Sequence, residues 1–352
     1  MNSNSLLNFV PRFKPFGEWA EWMLPSLGPW DRTEAGRSTE NKPIYLYRAG
    51  HGPRILLGWA QMHGNEPTAT NALLALFQEE LPKEAQEKCT FYFIPLLNPD
   101  GADRFTRENA SGLDINRDAR ECATPEAQIL IKLLERIKPD LCLNLHDQRV
   151  TFRHQNTSIP ATFSILSPRN HPTDLDNSFR EISKIWSGFL VDKFSAIHPA
   201  GCTSFSDEFY PSAFGELIQE KYAPIVLIET GAFSTDYNRT YQARVLSTVL
   251  HALLVQFSEI PAEEYLRRYT DLEPAETGLV DLLLLSEKSG TGVALSLFEN
   301  TEGIYYEIME VGDVADCPAI TTIYCEEILK GNLLAVGQKV TQWSALGVFG
   351  SV

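Results

Sequence analysis

The stretch Ile55 to Ala75, ILLGWAQMHGNEPTATNALLA, constrains this chain more than any other. Its apolar run, Ile55 to Ala60, has the length and composition of a buried strand. A short turn with His63, Gly64, Asn65 and Glu66 follows, and Pro67 opens an apolar-periodic segment, Ala69 to Leu81. Proline suits the first turn of a helix. His63 and Glu66 therefore fall in a strand-to-helix crossing, where open α/β sheets place their ligands. An imidazole and a carboxylate three residues apart can serve as two protein ligands of one zinc ion. Alone, such a pair also arises by chance, so its meaning depends on the other polar residues.

The rest of the chain alternates in the same way. Strands are expected at 44–48, 55–60, 90–96, 141–145, 161–166 and 224–229, and helices at 68–81, 125–137, 174–195, 212–221 and 239–257. This pattern predicts an α/β fold, a mixed, mostly parallel sheet flanked by helices on both faces. Residues 1–44, with Trp19, Trp22 and Trp30 among prolines, read as short helices and loops, and 35–50 as a turn entering a strand. After Tyr269 the texture changes to short β-like runs, among them GLVDLLLL, GVALSLF, GIYYEIMEV, ITTIYCEEI and LLAVGQKV. The expected division is a catalytic domain over 1–269 and a small C-terminal β domain over 270–352, which suits a length of 352 residues.

A formal net charge of −16 argues against nucleic acid and anionic membrane as partners, since both attract basic surfaces. None of the six cysteines has C-x-x-C spacing, and Cys142 inside LCLNL suits a buried reduced thiol. The first residues, MNSNSLLNFVPRF, carry no continuous apolar segment of the kind a secretory leader needs. With Met1 as the natural start, a cytoplasmic protein is expected.

Three more apolar runs end in unusual polar residues. FYFIPLLNPDGADRFTRENASGLDINRD leads from a strand into a loop with Asn98, Asp100, Arg104, Arg107, Asp114, Asn116 and Arg117. LCLNLHD ends in His146 and Asp147, and APIVLIETG ends in Glu229. If these runs are parallel neighbours, His63, Glu66, His146 and Glu229 gather at one edge of the sheet. Two histidines and a glutamate leave a fourth coordination position for water, the form of a catalytic zinc site. A carboxylate that is not a ligand must then move the proton, and Glu229 is the candidate. Arg107, Asn116 and Arg117 can stabilise an oxyanion and grip a carboxylate. Asp114 can orient the free nitrogen of a ligand histidine.

These motifs, GRSTENKPIYLY, HGNE, NPDG, TREN, LDINRD, the lone His146 and IETG, resemble in order and spacing the zinc metallocarboxypeptidase family over about residues 36–235. The resemblance implies one zinc ion on His63, Glu66 and His146, with Arg107 polarising the scissile carbonyl. It also implies that Asn116 and Arg117 bind the terminal carboxylate and that Glu229 is the general base. Two positions depart from the pattern: Asp118 follows Arg117 where the family has asparagine, and the loop SFSDEFYPSAFGELIQ offers only Tyr210 for the family's mobile tyrosine. Phe214 falls near the family's specificity position, which implies an apolar or aromatic preference. The neighbouring branch of aspartoacylases and succinylglutamate desuccinylases has the same zinc constellation and a small C-terminal β domain. HGNE and the β tail suit that branch; NPDG and GRSTENKPI suit the carboxypeptidases better. The expected substrate is a peptide, or alternatively a small acyl-amino acid. Each residue also has a bland reading, a half-buried histidine, a capping carboxylate or a surface arginine, and a hydrolase fold can persist as a peptide-binding scaffold. Retention of Glu229 and all three ligands weighs against the scaffold.

Overall fold

The computed structural model describes residues 12–149, 151–173, 175–198, 200–233, 236–286, 291–325 and 336–340. Its first part runs α1 (Phe16–Trp22), β1 (Ser26–Leu27), β2 (Trp30–Arg37), β3 (Pro43–Gly50), β4 (Arg54–Ala60), α2 (Thr68–Leu76), α3 (Lys83–Lys88), β5 (Cys89–Ile94) and α4 (Pro99–Arg104). A single 3₁₀ turn (Ile115–Arg117) then precedes α5 (Pro125–Ile137), β6 (Leu141–Asp147), β7 (Phe163–Leu166), α6 (Ser178–Ile197), β8 (Thr203–Ser204) and α7 (Phe214–Lys221). After β9 (Ile225–Thr230), α8 (Thr240–Gln256) and α9 (Tyr265–Thr270) come β10 (Val280–Ser286), β11 (Gly292–Asn300), β12 (Gly303–Gly312), β13 (Ala319–Cys325) and β14 (Lys339–Val340).

The first nine strands form one sheet in the order β1-β2-β3-β5-β4-β6-β9-β7-β8. Its four central strands, β5, β4, β6 and β9, are parallel. Antiparallel pairings flank them, β3 on β5 and β7 on β9. The sheet is thus mixed, and parallel where it is most deeply covered. Strand alternation sends neighbours to opposite faces. Leu56, Leu143 and Val226 pack with Leu73 of α2, Phe189 of α6 and Leu250 of α8. Leu57, Cys142 and Ile225 pack with Leu130 of α5 and Leu217 of α7. Cys142 is buried and unpaired, as its apolar setting implies. Central strands buried on both sides read as continuous apolar runs, which is why they stood out.

The ends of helices follow local chemistry. Thr124 caps α5, its hydroxyl accepting from the Ala127 N–H at 3.2 Å with Pro125 in the first turn, so this helix spans the expected residues. Asn177 caps α6 by accepting from the Arg180 N–H, which starts that helix at Ser178; residue 174, where the sequence pattern began it, lies outside the described residues. The α2 helix ends at Leu76, earlier than expected. Residues 30–37 correct the reading of this region as loop: they form β2, antiparallel to β3. Only Trp30 of WDRTEAGR is buried, against Phe77, so the strand lacked a periodic apolar signal.

A second sheet, β13-β10-β11-β12-β14, accounts for the β-like runs after residue 270. Part of ITTIYCEEI and of LLAVGQKV lies outside the described residues. No helix among the described residues is long and apolar enough to cross a membrane.

The turn between β4 and α2 is held by close backbone packing. A side chain at Gly64 would stand 1.9 Å from the backbone carbon of Gly101, in α4. Asn98 caps α4 through Gly101 N–H at 2.8 Å and donates to the Met62 carbonyl at 3.1 Å, just before His63. Gly64→Ala is therefore expected to destabilise the protein by about 1–3 kcal/mol, the usual cost of overpacking. Chemical denaturation checks this, and an unchanged midpoint would contradict the close packing.

Candidate active site

Register brings the polar strand ends together. In the parallel pair β6 and β9, His146 lies directly beside Glu229. The turn after β4, the strand next to β6, carries His63 and Glu66. Glu66 joins the two histidines: its Oε1 is 2.8 Å from His63 Nδ1 and its Oε2 is 2.8 Å from His146 Nδ1. All three side chains are buried, and their ligand atoms lie within 4.8 Å of one another. Asp114 Oδ1 is 3.1 Å from the remote nitrogen of His63, fixing the ring with Nδ1 toward Glu66. His146 Nε2 is buried with no hydrogen-bond partner among the described residues. Two imidazoles and one carboxylate, buried and converging, suit a zinc ion.

Burial alone would raise the Glu66 carboxyl, but His63 and His146 hold it well below the ordinary value. The same opposition acts on Asp114, where His63 and Arg107 outweigh burial and keep it ionised. Glu229 behaves otherwise. Burial, with Glu66 and Asp147 adding repulsion, raises its carboxyl well above the ordinary range. Two classes of carboxylate therefore share the site, one held as anion and one made basic, the separation expected of ligand and proton acceptor.

The candidate substrate-binding residues lie on the loop after β5 and on the approach to α7. Arg107 donates from Nε to Asp114 Oδ2 at 2.9 Å, and its Nη1 lies 3.6 Å from Glu66 Oε1. The Asn116 N–H donates to Asp114 Oδ1 at 2.8 Å. Arg117 is exposed, with its guanidinium carbon 5.0 Å from the ring centre of Tyr210. Tyr210 is 43% exposed and donates its hydroxyl to Glu208. All of these except Asp114 line one cavity of 810 Å³, together with His63, Glu66, His146 and Glu229.

Phe214 requires a correction. It begins α7 with its side chain wholly buried in the core beside α5, and it does not line the cavity. Only its backbone serves the site, donating to Asn116 Oδ1 at 3.2 Å. The apolar preference drawn from Phe214 therefore falls. Ala213, Gly215 and Glu216 line the cavity there, because the α7 start turns the aromatic ring inward. Asp118, at the other departure, accepts from the N–H groups of Ala123 and Thr124 at 2.9 Å and 2.8 Å. Its carboxylate shapes the entry to α5.

Several contacts in the cavity had no sequence signal. Asp147 accepts from the Thr68 hydroxyl at 2.7 Å and pairs with Arg12 at 3.3 Å and Arg239 at 3.4 Å. Arg12 also lies 3.6 Å from Glu299 of β11. The second sheet adds Asp281, Ser296, Glu299 and Tyr306 to the wall. A hydrophobic run containing one aspartate gives no hint of this, since residues such as Arg12 and Asp147, 135 apart in sequence, meet only through the fold.

Two outcomes follow. Asp114→Asn is expected to weaken zinc affinity by about 10–100-fold, the usual effect of losing a carboxylate behind a ligand histidine; competition with a chelating dye measures it, and unchanged affinity would contradict the role. Asp281 gives a pH signature. Burial raises its carboxyl to about 7, against the Leu297 N–H, Arg239 and Arg12. A folded-state value above the unfolded one means that the folded protein holds the extra proton, so stability falls as pH rises from about 4 to 7. Asp281→Asn should equal the wild type near pH 4 and exceed it at pH 8 by up to a few kcal/mol, at about 1.4 kcal/mol per pH unit. Calorimetric melting across that range checks the sign.

Comparison with known proteins agrees with this geometry. The family described as zinc carboxypeptidase matches residues 31–185, a span that holds His63, Glu66, Arg107, Asp114 and His146. Compared with curated proteins, the sequence has no match. Among solved structures, a metallo-carboxypeptidase from Burkholderia cenocepacia is similar at 17% identity, covering 69% of this chain and 70% of that one, with a TM-score of 0.55. A metallo-carboxypeptidase from Pseudomonas aeruginosa, in complex with (2-guanidinoethylmercapto)succinic acid, is similar at 18% identity over 73% of this chain and 71% of that one, TM-score 0.51. Bovine thrombin-activatable fibrinolysis inhibitor, in complex with tick carboxypeptidase inhibitor, is similar at 17% identity over 72% and 97%, TM-score 0.53. At these identities the likeness is one of fold. Over residues 31–185 the sequence matches the zinc carboxypeptidase family, and the fold is similar to that of metallo-carboxypeptidases.

Proposed function

We propose that this protein is a zinc-dependent metallocarboxypeptidase, which hydrolyses the C-terminal amide of a peptide or peptide-like substrate bearing a free carboxylate. The observation that carries the reading is the convergence of His63, Glu66 and His146 beside Glu229 in one cavity with Arg107, Asn116 and Arg117. His63, Glu66 and His146 would hold the ion, which when bound supplies Lewis acidity to a carbonyl and acidifies water. Glu229, made basic by burial, takes the proton of the attacking water and returns it to the leaving amine. Arg107 donates to the developing oxyanion through the Nη2 end of its half-exposed guanidinium, Nε being bonded to Asp114 and Nη1 lying beside His63 and Glu66. Arg117 and the amide nitrogen of Asn116 grip the terminal carboxylate, with Tyr210 beside Arg117 as a further contact.

The division into a catalytic domain over 1–269 and a β domain over 270–352 belongs to the same proposal, the β domain narrowing the cleft. That narrowing also favours a second reading, N-acyl amino acid deacylation, because residues of β10 and β11 line the cavity and small substrates suit it.

Zinc-loaded protein should be assayed in parallel on dipeptides, both free and N-blocked, and on N-acetyl and N-succinyl amino acids. Turnover of dipeptides supports the carboxypeptidase, and turnover of acyl amino acids alone supports the deacylase. Glu229→Gln is expected to keep zinc and lose about 10²–10⁴-fold in turnover, the usual share of a general base. His146→Ala should lose metal and activity together. Equal zinc loss in both variants would remove Glu229 from the role of base.

A further inference from the structure

The wall that the second sheet presents to the cavity has a charge imbalance. Three carboxylates lie there or next to it: Asp147, Glu299 and Asp281. Arg12 and Arg239 serve the first two, through Arg12 to Asp147 and Glu299 and Arg239 to Asp147. Arg239 is further committed to the Thr230 and Gln148 carbonyls. Glu299 also accepts from the Phe13 N–H at 2.7 Å and from the Tyr237 hydroxyl at 3.2 Å. Asp281 has no such partner. Among the described residues it makes one hydrogen bond, accepting from the Leu297 N–H at 2.7 Å, and no ion pair.

A second observation points to the same place. Ser296, one residue before Leu297, is 4% exposed, lines the cavity, and has a buried hydroxyl with no hydrogen-bond partner among the described residues. A buried hydroxyl left unpaired is costly unless something outside the protein pairs with it. A carboxyl with no ion pair beside an unpaired hydroxyl on one cavity wall is complementary to an ammonium group, which brings a positive charge that favours the ionised carboxylate and three donors.

We propose that Asp281 and Ser296 form a site for the free α-amino group of a short peptide, so that the substrate class is unblocked di- or tripeptides. This rests on the carboxypeptidase reading, in which the other end of the substrate is its carboxylate on Arg117. Asp281 is then a specificity-determining residue supplied by the second sheet. A peptide carrying an N-terminal acyl group lacks the charge and meets an anion it cannot neutralise.

The test is binding, measured by calorimetric titration of full-length, zinc-loaded Glu229→Gln protein with Ala-Phe and with N-acetyl-Ala-Phe. Ala-Phe is expected to bind at least ten-fold more tightly. Adding Asp281→Asn, whose amide oxygen can still accept the Leu297 N–H, should bring the two peptides within about two-fold of each other, with the melting temperature confirming a folded protein. Ser296→Ala, which leaves that backbone bond untouched, should weaken Ala-Phe and leave the acetylated peptide unchanged. Equal affinity of the two peptides for the parent protein, or a preference that survives Asp281→Asn, overturns the amine site while leaving the carboxypeptidase reading intact. Binding of neither peptide overturns both.

Discussion

The side-by-side placement of β4, β6 and β9 is the constraint on which the rest of this structure depends. Parallel pairing aligns their C-terminal ends, and register sets His146 directly beside Glu229. Pairing by side-chain alternation makes this placement all or nothing, because a slip of one residue would turn His146 to the other face. The apolar parts of the same strands, Leu143 and Val226 on one face and Cys142 and Ile225 on the other, bury into separate cores and hold the register. Packing energy thus fixes the geometry of the site without the polar strand-end residues contributing to it.

Electrostatics then separates residues of the same type. Glu66 and Glu229 are both glutamates at strand ends in one cavity. Two histidines keep Glu66 ionised, whereas burial and two neighbouring carboxylates make Glu229 basic. The remaining acids follow the same rule of local partners. Asp114 serves His63 and Arg107, Asp118 satisfies the entry to α5, and Asp147 is flanked by two arginines. Asp281 has no ion pair among the described residues, Arg12 and Arg239 acting on it only from farther away.

Arg12 links the two sheets. It reaches from Asp147 at the end of β6 to Glu299 on β11, and the Phe13 N–H binds the same Glu299. The N-terminal segment consequently sets how the second sheet faces the strand that carries His146. This contact crosses 286 residues of sequence. Its worth lies in position rather than in net energy, since buried ion pairs cost nearly as much in desolvation as they return.

Much of this protein was determined by sequence alone, where the physics is local. Apolar runs marked the central strands, α5 spans the expected residues 125–137, and HGNE, LCLNLHD and IETG marked the polar residues that follow them. What tertiary structure decided was direction and partnership. Phe214 and Glu216 lie two residues apart, yet the turn into α7 buries the first in the core and leaves the second on the cavity wall. β2 escaped notice because a strand with one buried side chain has no period to read. Asp281 lies in the β-like run GLVDLLLL, and its place on the cavity wall emerges only where β10 and β11 meet the cavity. A side chain's type is written in the sequence, but its orientation, its burial and the charges facing it are set by residues far away along the chain.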